Sequence, residues 1–156
     1  MTKDDDIYRE ELLEHYRNPN NNTIIKNPDI HKTDSNPLCG DNIEIFVEFE
    51  KDKNNTNNKT TKNTIKNITF IGDGCVISKV CASLLTEHLE GKTIEYAKKM
   101  DREQMLKLLS INVSPSRVKC AMLALTALKK GIADYENQNN NIKNTVLKKK
   151  ANEVIA

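Results

Sequence analysis

The segment NPLCGDNIEIFVEFE, residues 36–50, decides the expected fold because its second half alternates apolar with mostly polar side chains. Its apolar residues recur at every second position: Ile43, Ile45, Val47 and Phe49. This period of two predicts a β-strand with one face in the core. The first half places Cys39 two positions before Asp41, in a turn that contains a proline and a glycine. The segment therefore predicts a strand that begins beside two side chains able to bind a metal.

The sequence around this strand predicts a helix before it and further strands on both sides. Residues 4–18 have apolar side chains at helical spacing, and residues 22–27 favour a short strand. Residues 28–41 are expected to form a loop because they are rich in Pro, Asp, Asn and Ser. Residues 64–72 supply another strand.

Helical periodicity replaces the strand pattern after the sequence GDGC. It continues in four segments: residues 75–91, 93–100, 101–109 and 114–132. In the last of these, Ser114 or Ser116 caps the helix, Pro115 lies in the first turn and Gly131 is near the end. A helix, then antiparallel strands, then several helices predicts the α+β class.

We expect one domain, residues 1–133, because a chain of 156 residues can bury one core of ordinary size. Within it, residues 51–64 are polar and low in complexity, which predicts a floppy hairpin connection. Residues 134–156 are expected to form a polar, Asn-rich linker that ends in a C-terminal helix.

Charge and hydropathy argue against several function classes. The net charge is +2, from 24 basic and 22 acidic side chains, without the clustered Lys and Arg that nucleic-acid binding requires. The first residues are acidic and polar rather than those of a secretory signal, and no apolar run is long enough to span a membrane. We expect a cytoplasmic protein, in which free cysteines are metal ligands or reactive thiols.

The four cysteines differ in their expected surroundings. A helix that turns by about 100° per residue from Cys75 places Cys81 among the apolar core positions, and Cys75 outside them. Cys120 lies on the flank of the apolar stripe of its own helix. Cys39, Asp41, Cys75 and Cys120 have the chemistry of a tetrahedral metal site, although cysteines scattered at this spacing are more often inert.

The motifs that contain these residues resemble the NifU/IscU/SufU group of iron–sulfur cluster assembly scaffolds and sulfur acceptors. Four stretches carry the resemblance, in the order found in the family: IYREELLEHYRNPNN, NPLCGDNIEI, ITFIGDGCVISKVCASLLTEHLEGKTIEYA and SPSRVKCAMLALTALKKGI. The resemblance implies a small antiparallel sheet of about three strands packed against a layer of helices.

The resemblance also implies a site and an activity. Its cluster or metal ligands correspond to Cys39, Asp41, Cys75 and Cys120. It implies that the protein accepts sulfur from a cysteine desulfurase, assembles a transient [2Fe–2S] cluster or holds Zn²⁺, and passes the cluster to apo iron–sulfur acceptor proteins. Because a flexible, partly exposed thiol of lowered pKa is the natural persulfide acceptor, we expect Cys120 to have that role.

Two features leave the branch of the family open. Lys119 occupies a position where IscU-type scaffolds usually have histidine, and lysine there resembles the zinc-dependent sulfurtransferases of the SufU branch. Only 44 residues separate Cys75 from Cys120, which resembles IscU instead. The stretch VSPSRVK keeps little of the chaperone-recognition sequence LPPVK of IscU-type proteins, so no chaperone partner is predicted.

The sequence therefore leaves three functions open: a cluster scaffold, a zinc-dependent sulfurtransferase, and a structural zinc module that serves as a binding platform. His15, His31 and His88 are expected to be structural or solvated rather than ligands. The basic run at residues 148–150 is expected to be a solvated helix face.

Overall fold

The computed structural model describes residues 3–51 and 63–155, with side chains described for residues 9–51 and 63–153. Five helices and three strands follow one another in these ranges: α1 (Lys3–Arg17), β1 (Ile30–Asn36), β2 (Asp41–Phe49), β3 (Ile65–Asp73), α2 (Val76–Leu89), α3 (Ile94–Lys99), α4 (Arg102–Leu109) and α5 (Pro115–Ile155).

The three strands form an antiparallel sheet in the order β1–β2–β3. The alternating apolar residues predicted for β2 are all fully buried: Ile43, Ile45, Val47 and Phe49. Helices α2 and α5 pack against the sheet and share one core with it. Each fully buried aliphatic or aromatic side chain stabilises the fold by about 1.5–3 kcal/mol. The predicted α+β class, with a small antiparallel sheet packed against helices, is confirmed.

The first strand lies later in the chain than the sequence predicts. Residues 22–27 are not a strand. Asn21, just before them, and Asn27, at their end, both have backbone angles in the left-handed region. The side-chain Nδ2 of Asn22 donates to the backbone carbonyl of Phe70 in β3. Strand β1 instead lies inside the predicted loop. It pairs with β2 along its whole length, from Ile30 opposite Val47 onwards. These ladder hydrogen bonds outweigh the low strand propensity of its Asp, Ser and Asn residues.

The last helix continues well beyond the predicted end. Gly131 does not stop α5, which runs unbroken through the Asn-rich segment to Ile155. The expectation of a linker after residue 133 therefore differs from the structure. A Cβ atom at Gly131 would lie 2.7 Å from Ile30 Cγ2 and 3.1 Å from Lys32 Cβ. The glycine is needed because α5 crosses β1 closely there, and not because the helix ends.

The other elements lie where the sequence places them. The predicted helices at residues 4–18, 75–91, 93–100 and 101–109 correspond to α1, α2, α3 and α4, and the strand at 64–72 corresponds to β3. Most of the low-complexity segment 51–64 lies outside the described residues. The domain boundary at residue 133 stays a prediction.

No helix in residues 3–51 and 63–155 is both long enough and apolar enough to cross a membrane. This includes the 41-residue helix α5, whose first half is rich in apolar residues and whose second half is mostly polar.

The contact at Gly131 predicts the effect of Gly131→Ala. A new methyl group beside the buried Ile30 should cost about 1–3 kcal/mol in overpacking, against about 1 kcal/mol gained in helix propensity. We expect a net loss in the free energy of unfolding, measured by urea denaturation. The control Asn137→Ala, at an exposed position of the same helix, should be neutral or stabilising. A more stable Gly131→Ala variant would contradict the close packing of α5 on β1.

Candidate metal centre

Four chain segments meet at one end of the sheet. Cys39 lies in the turn between β1 and β2, and Asp41 is the first residue of β2. Cys75 directly precedes α2 as its N-cap residue, two positions after the end of β3. Because β2 pairs with β3 from Asn42 opposite Asp73, the start of β2 lies next to the end of β3. Helix α5 brings Cys120, in its second turn, to the same place.

The structure brings the four predicted site residues into contact. The Sγ atoms of Cys39 and Cys120 are 3.5 Å apart. Ligand atoms of Cys39, Asp41 and Cys120 all lie within 4.8 Å of one another. Cys75 joins this set through Asp41, whose Oδ2 is 3.6 Å from the Cys75 sulfur.

The Asp41 carboxylate is fixed by the helix that it faces. It is 1% exposed, and its Oδ1 accepts a hydrogen bond of 2.9 Å from the backbone N–H of Cys75. This amide lies at the N-terminus of α2, where the helix dipole favours a negative charge. With Oδ1 engaged, Oδ2 is the oxygen that faces the cysteine sulfurs. Asp41 can therefore offer one oxygen to a metal while the other holds α2 in place.

The exposure of the thiols differs from the sequence-based expectation. Cys120, expected to be partly exposed, is fully buried, whereas Cys39 is exposed and Cys75 is intermediate. Burial, followed by hydrogen bonds with Asp41, Cys39 and Cys75, raises the pKa of the Cys120 thiol, which is opposite to the expected lowering. The turn that carries Cys39 and the side chain of Asn36 lie against the Cys120 sulfur. The role of Cys120 as persulfide acceptor stays a prediction.

The fourth cysteine and the histidines lie away from this set. Cys81 is fully buried in the core, as predicted, and burial raises its pKa to about 12. His15 contacts Ser83, and His88 contacts the hydroxyl of Tyr96. That these two histidines are structural rather than ligands stays a prediction. His31 lies in β1, not in a loop as predicted, and pairs with Glu44 while stacking on Phe46.

The donor types, and two of the separations between them, fit a tetrahedral zinc ion. With Zn–S bonds of about 2.3 Å and Zn–O bonds of about 2.0 Å, two sulfur ligands lie about 3.8 Å apart and a sulfur and an oxygen about 3.5 Å apart. The observed separations are 3.5 Å between Cys39 and Cys120 and 3.6 Å between Cys75 and Asp41. Soft thiolates also suit iron–sulfur clusters. Cys39, Asp41 and Cys120 form the group with ligand atoms within 4.8 Å of one another, and Cys75 lies outside that group, so its sulfur would have to move closer to share one ion with the other three.

Two buried polar residues near the centre are missed by the sequence analysis. Asn36, at the end of β1, contacts Cys120. Ser78 is fully buried, and its hydroxyl donates to the carbonyl of Cys75 and lies 3.8 Å from the Cys75 sulfur. The position of Ser78, three residues after Cys75 at a helix start, is a detectable signal. Asn36 gives no such signal, because its contact depends on how α5 meets the sheet.

The sequence profile of the family described as NifU-like N-terminal domain matches residues 7–142. The chain belongs to this NifU-like family. Two relatives support the assignment along most of the chain. The zinc-dependent sulfurtransferase SufU of Bacillus subtilis is 31% identical over 86% of this chain and 95% of its own. The iron–sulfur cluster assembly scaffold protein IscU 1 of Archaeoglobus fulgidus is 32% identical over 87% of this chain and 81% of its own.

A solved structure supports the NifU-like fold independently. The NifU-like protein (N-terminal) of Brucella abortus superimposes with a TM-score of 0.62, covering 87% of this chain and 99% of its own. Its sequence is 17% identical to this one, so the likeness concerns the fold alone. The predicted family resemblance is confirmed, and the two relatives represent both of the branches that Lys119 and the spacing of the cysteines leave open.

The packing beside the NifU-like centre predicts the effect of Gly74→Ala. A Cβ atom at Gly74 would collide with Ser78 Oγ and lie 3.0 Å from Asp41 Oδ1. The displaced carboxylate should weaken Zn²⁺ binding by about 10-fold or more, as loss of outer-sphere support typically does. Competition with a chromophoric chelator measures this affinity.

The control is Gly91→Ala at the opposite end of α2. A Cβ atom there meets nothing within 4 Å, although the positive φ of 80° strains the variant. It should lose stability but keep its Zn²⁺ affinity. Equal affinities for Gly74→Ala and the unaltered chain would show that the position of Asp41 does not matter to the ion.

Proposed function

We propose that this protein is an iron–sulfur cluster assembly scaffold, which accepts sulfur from a cysteine desulfurase and assembles and transfers a [2Fe–2S] cluster. The observation that carries the proposal is the convergence of Cys39, Asp41 and Cys120, whose ligand atoms lie within 4.8 Å of one another, with Cys75 beside them. The similarity to IscU-named relatives supports the same reading.

The mixed ligand set suits a cargo that must leave again. Three thiolates, from Cys39, Cys75 and Cys120, would hold iron or zinc through soft sulfur donors. The fourth ligand, the Asp41 carboxylate, binds these metals less strongly than a thiolate does. Because its Oδ1 already accepts from the Cys75 amide, Asp41 can release a metal without leaving a buried charge unpaired. The set therefore favours transfer over permanent storage.

We propose that sulfur enters through Cys39 and is held by Cys120. The exposed Cys39 thiolate attacks the outer sulfur of the desulfurase persulfide, and the desulfurase cysteine leaves as a thiolate. Cys120, 3.5 Å away, then attacks that same outer sulfur, and its proton passes to the released Cys39. Each exchange forms one S–S bond and breaks one. Reduction of the carried sulfur to sulfide requires two electrons from an electron-transfer protein.

The surface around Cys39 can receive the desulfurase. Leu38, beside Cys39, is 80% exposed at the tip of the turn. An open groove next to it lies between β1 and α5. Its lining includes Asn36, Pro37, Leu38, Lys119, Met122 and Leu123. A partner that seats an apolar loop here would bring its persulfide to Cys39.

The four free thiols suit a reducing compartment, so we propose the cytoplasm as the location.

The alternative function is a zinc-dependent sulfurtransferase. Lys119, next to Cys120, favours this reading, as does the similarity to the SufU-named relative. In that case zinc stays bound by the same residues, and the protein passes sulfur on without assembling a cluster. Both functions use the same centre and the same class of partner, so they differ in what the centre holds after sulfur has arrived.

Anaerobic reconstitution with iron, a cysteine desulfurase, cysteine and a reductant tests the scaffold. We expect the unaltered chain to acquire the visible absorbance of a [2Fe–2S] cluster and to transfer it to an apo-ferredoxin. The variants Cys39→Ser, Cys75→Ser and Cys120→Ser should each lose most of this absorbance, since each removes one thiolate. Cys81→Ala, which removes the core cysteine, is the matched control and should retain it. Full loading of all three serine variants would contradict the scaffold.

Peptide mass spectrometry and metal analysis on parallel samples, prepared with the desulfurase and cysteine but without the reductant, separate the two functions. Retained zinc with a persulfide and no chromophore would establish the sulfurtransferase instead. In either case Cys120→Ser should accumulate the persulfide on Cys39, and Cys39→Ser should slow loading of Cys120. Rapid loading of Cys120 in Cys39→Ser would contradict entry through Cys39.

A further inference from the structure

Asn36 is a buried polar residue that lies between the turn of Cys39 and the helix of Cys120. It is the last residue of β1, pairs with Asp41 across the sheet, and is 7% exposed. The four residues that follow it are exposed on the surface: Pro37, Leu38, Cys39 and Gly40. Asn36 is thus the buried anchor from which this exposed turn projects.

Three hydrogen bonds hold the turn to Asn36. Its backbone carbonyl accepts from the N–H groups of Cys39 at 3.2 Å and Gly40 at 2.9 Å. Its side-chain Oδ1 accepts from the N–H of Leu38 at 3.3 Å. One residue therefore fixes the backbone that carries the Cys39 sulfur.

The nitrogen of the Asn36 side-chain amide faces the sulfur of Cys120. Asn36 Nδ2 lies 3.9 Å from the Sγ of Cys120, 84 positions away in the chain. A buried amide N–H without an acceptor is costly, and within the described residues this sulfur is the acceptor in reach of Nδ2. The side chain therefore connects the turn of Cys39 to α5, in addition to the contact of 3.5 Å between the two sulfurs.

We infer that Asn36 is a positioning residue of the metal centre, which sets the Cys39 turn with its oxygen and orients the Cys120 sulfur with its N–H group. The inference rests on the proposed function in that it requires the centre to bind metal. A hydrogen bond to a metal-bound thiolate is assisted by its charge, and outer-sphere partners of this kind fix the orientation of ligands. Asn36 does not itself bind the metal.

The informative variant is Asn36→Asp. Aspartate has the same shape and keeps an oxygen that can accept from the Leu38 N–H, but it has no N–H to offer Cys120. We expect the affinity for Zn²⁺, measured by chelator competition, to fall about 10- to 100-fold. With Co²⁺ as a spectroscopic probe, the sulfur-to-metal charge-transfer band should also shift, since the electron density on the Cys120 sulfur changes. Asn36→Ala, which lacks both groups, should lose at least as much affinity.

The matched control is Asn42→Asp, which adds the same charge at an exposed position next to Asp41. It should keep the Zn²⁺ affinity of the unaltered chain and its Co²⁺ spectrum. Equal losses of Zn²⁺ affinity in Asn42→Asp and Asn36→Asp would show that the added charge alone causes the loss, and would overturn the inference. An Asn36→Asp variant that matches the unaltered chain in affinity and spectrum would also overturn it. If the unaltered chain binds neither metal, the proposed function fails instead.

A measurement on the unaltered chain covers the case in which the Asn36 variants do not fold. In protein loaded with NMR-active cadmium and labelled at its asparagine side chains, the amide protons of Asn36 should show a coupling to the metal through the hydrogen bond to Cys120. The Asn42 amide, as an internal reference, should show none. Absence of both a coupling and a metal-dependent shift at Asn36 would contradict the inference.

Discussion

The antiparallel register of the small sheet is the constraint on which the rest of the centre depends. Because Asn36 pairs with Asp41, the turn of Cys39 is short and lies at the edge where β3 ends. The same register places Asp41 beside the backbone N–H of Cys75, the residue before α2, so one carboxylate holds the start of this helix and faces the Cys75 sulfur. Asp41 lies on the same face of β2 as its apolar residues, and a shift of the register by one residue would turn this whole face away from the core. The buried core of β2 therefore protects the geometry of the site.

Helix α5 supplies the remaining ligand because it packs closely on the first strand. Gly131 allows the approach to Ile30, and ion pairs between Lys32 and Asp134 and between Lys130 and Asp34 connect the same two elements. Each of these pairs has at least one exposed partner, and such ion pairs contribute little to stability. Burial of the apolar stripe of α5 fixes its rotation, and that rotation directs Cys120 toward the turn of Cys39. Packing more than ion pairing thus brings the distant sulfur to the centre.

Sequence reasoning was most successful where one local pattern dominates. The alternation in β2 and the periodicity of α2, α3 and α4 predict these elements directly, and the motifs around the cysteines identify the family. Strand β1 was missed because its polar residues become a strand only by pairing with β2, and the end of α5 was missed because Gly131 serves a tertiary contact. The burial of Cys120 and the contacts of Asn36 could not be predicted, since both arise where two elements far apart in sequence meet.

The central claim is that three sulfurs and one carboxylate act as a single centre. X-ray absorption spectroscopy at the zinc edge of the zinc-loaded protein tests it most directly. We expect three sulfur neighbours at about 2.3 Å and one oxygen at about 2.0 Å. A coordination shell of nitrogen and oxygen with one sulfur or none would contradict it, because it would place the metal away from the meeting point of Cys39, Cys75 and Cys120.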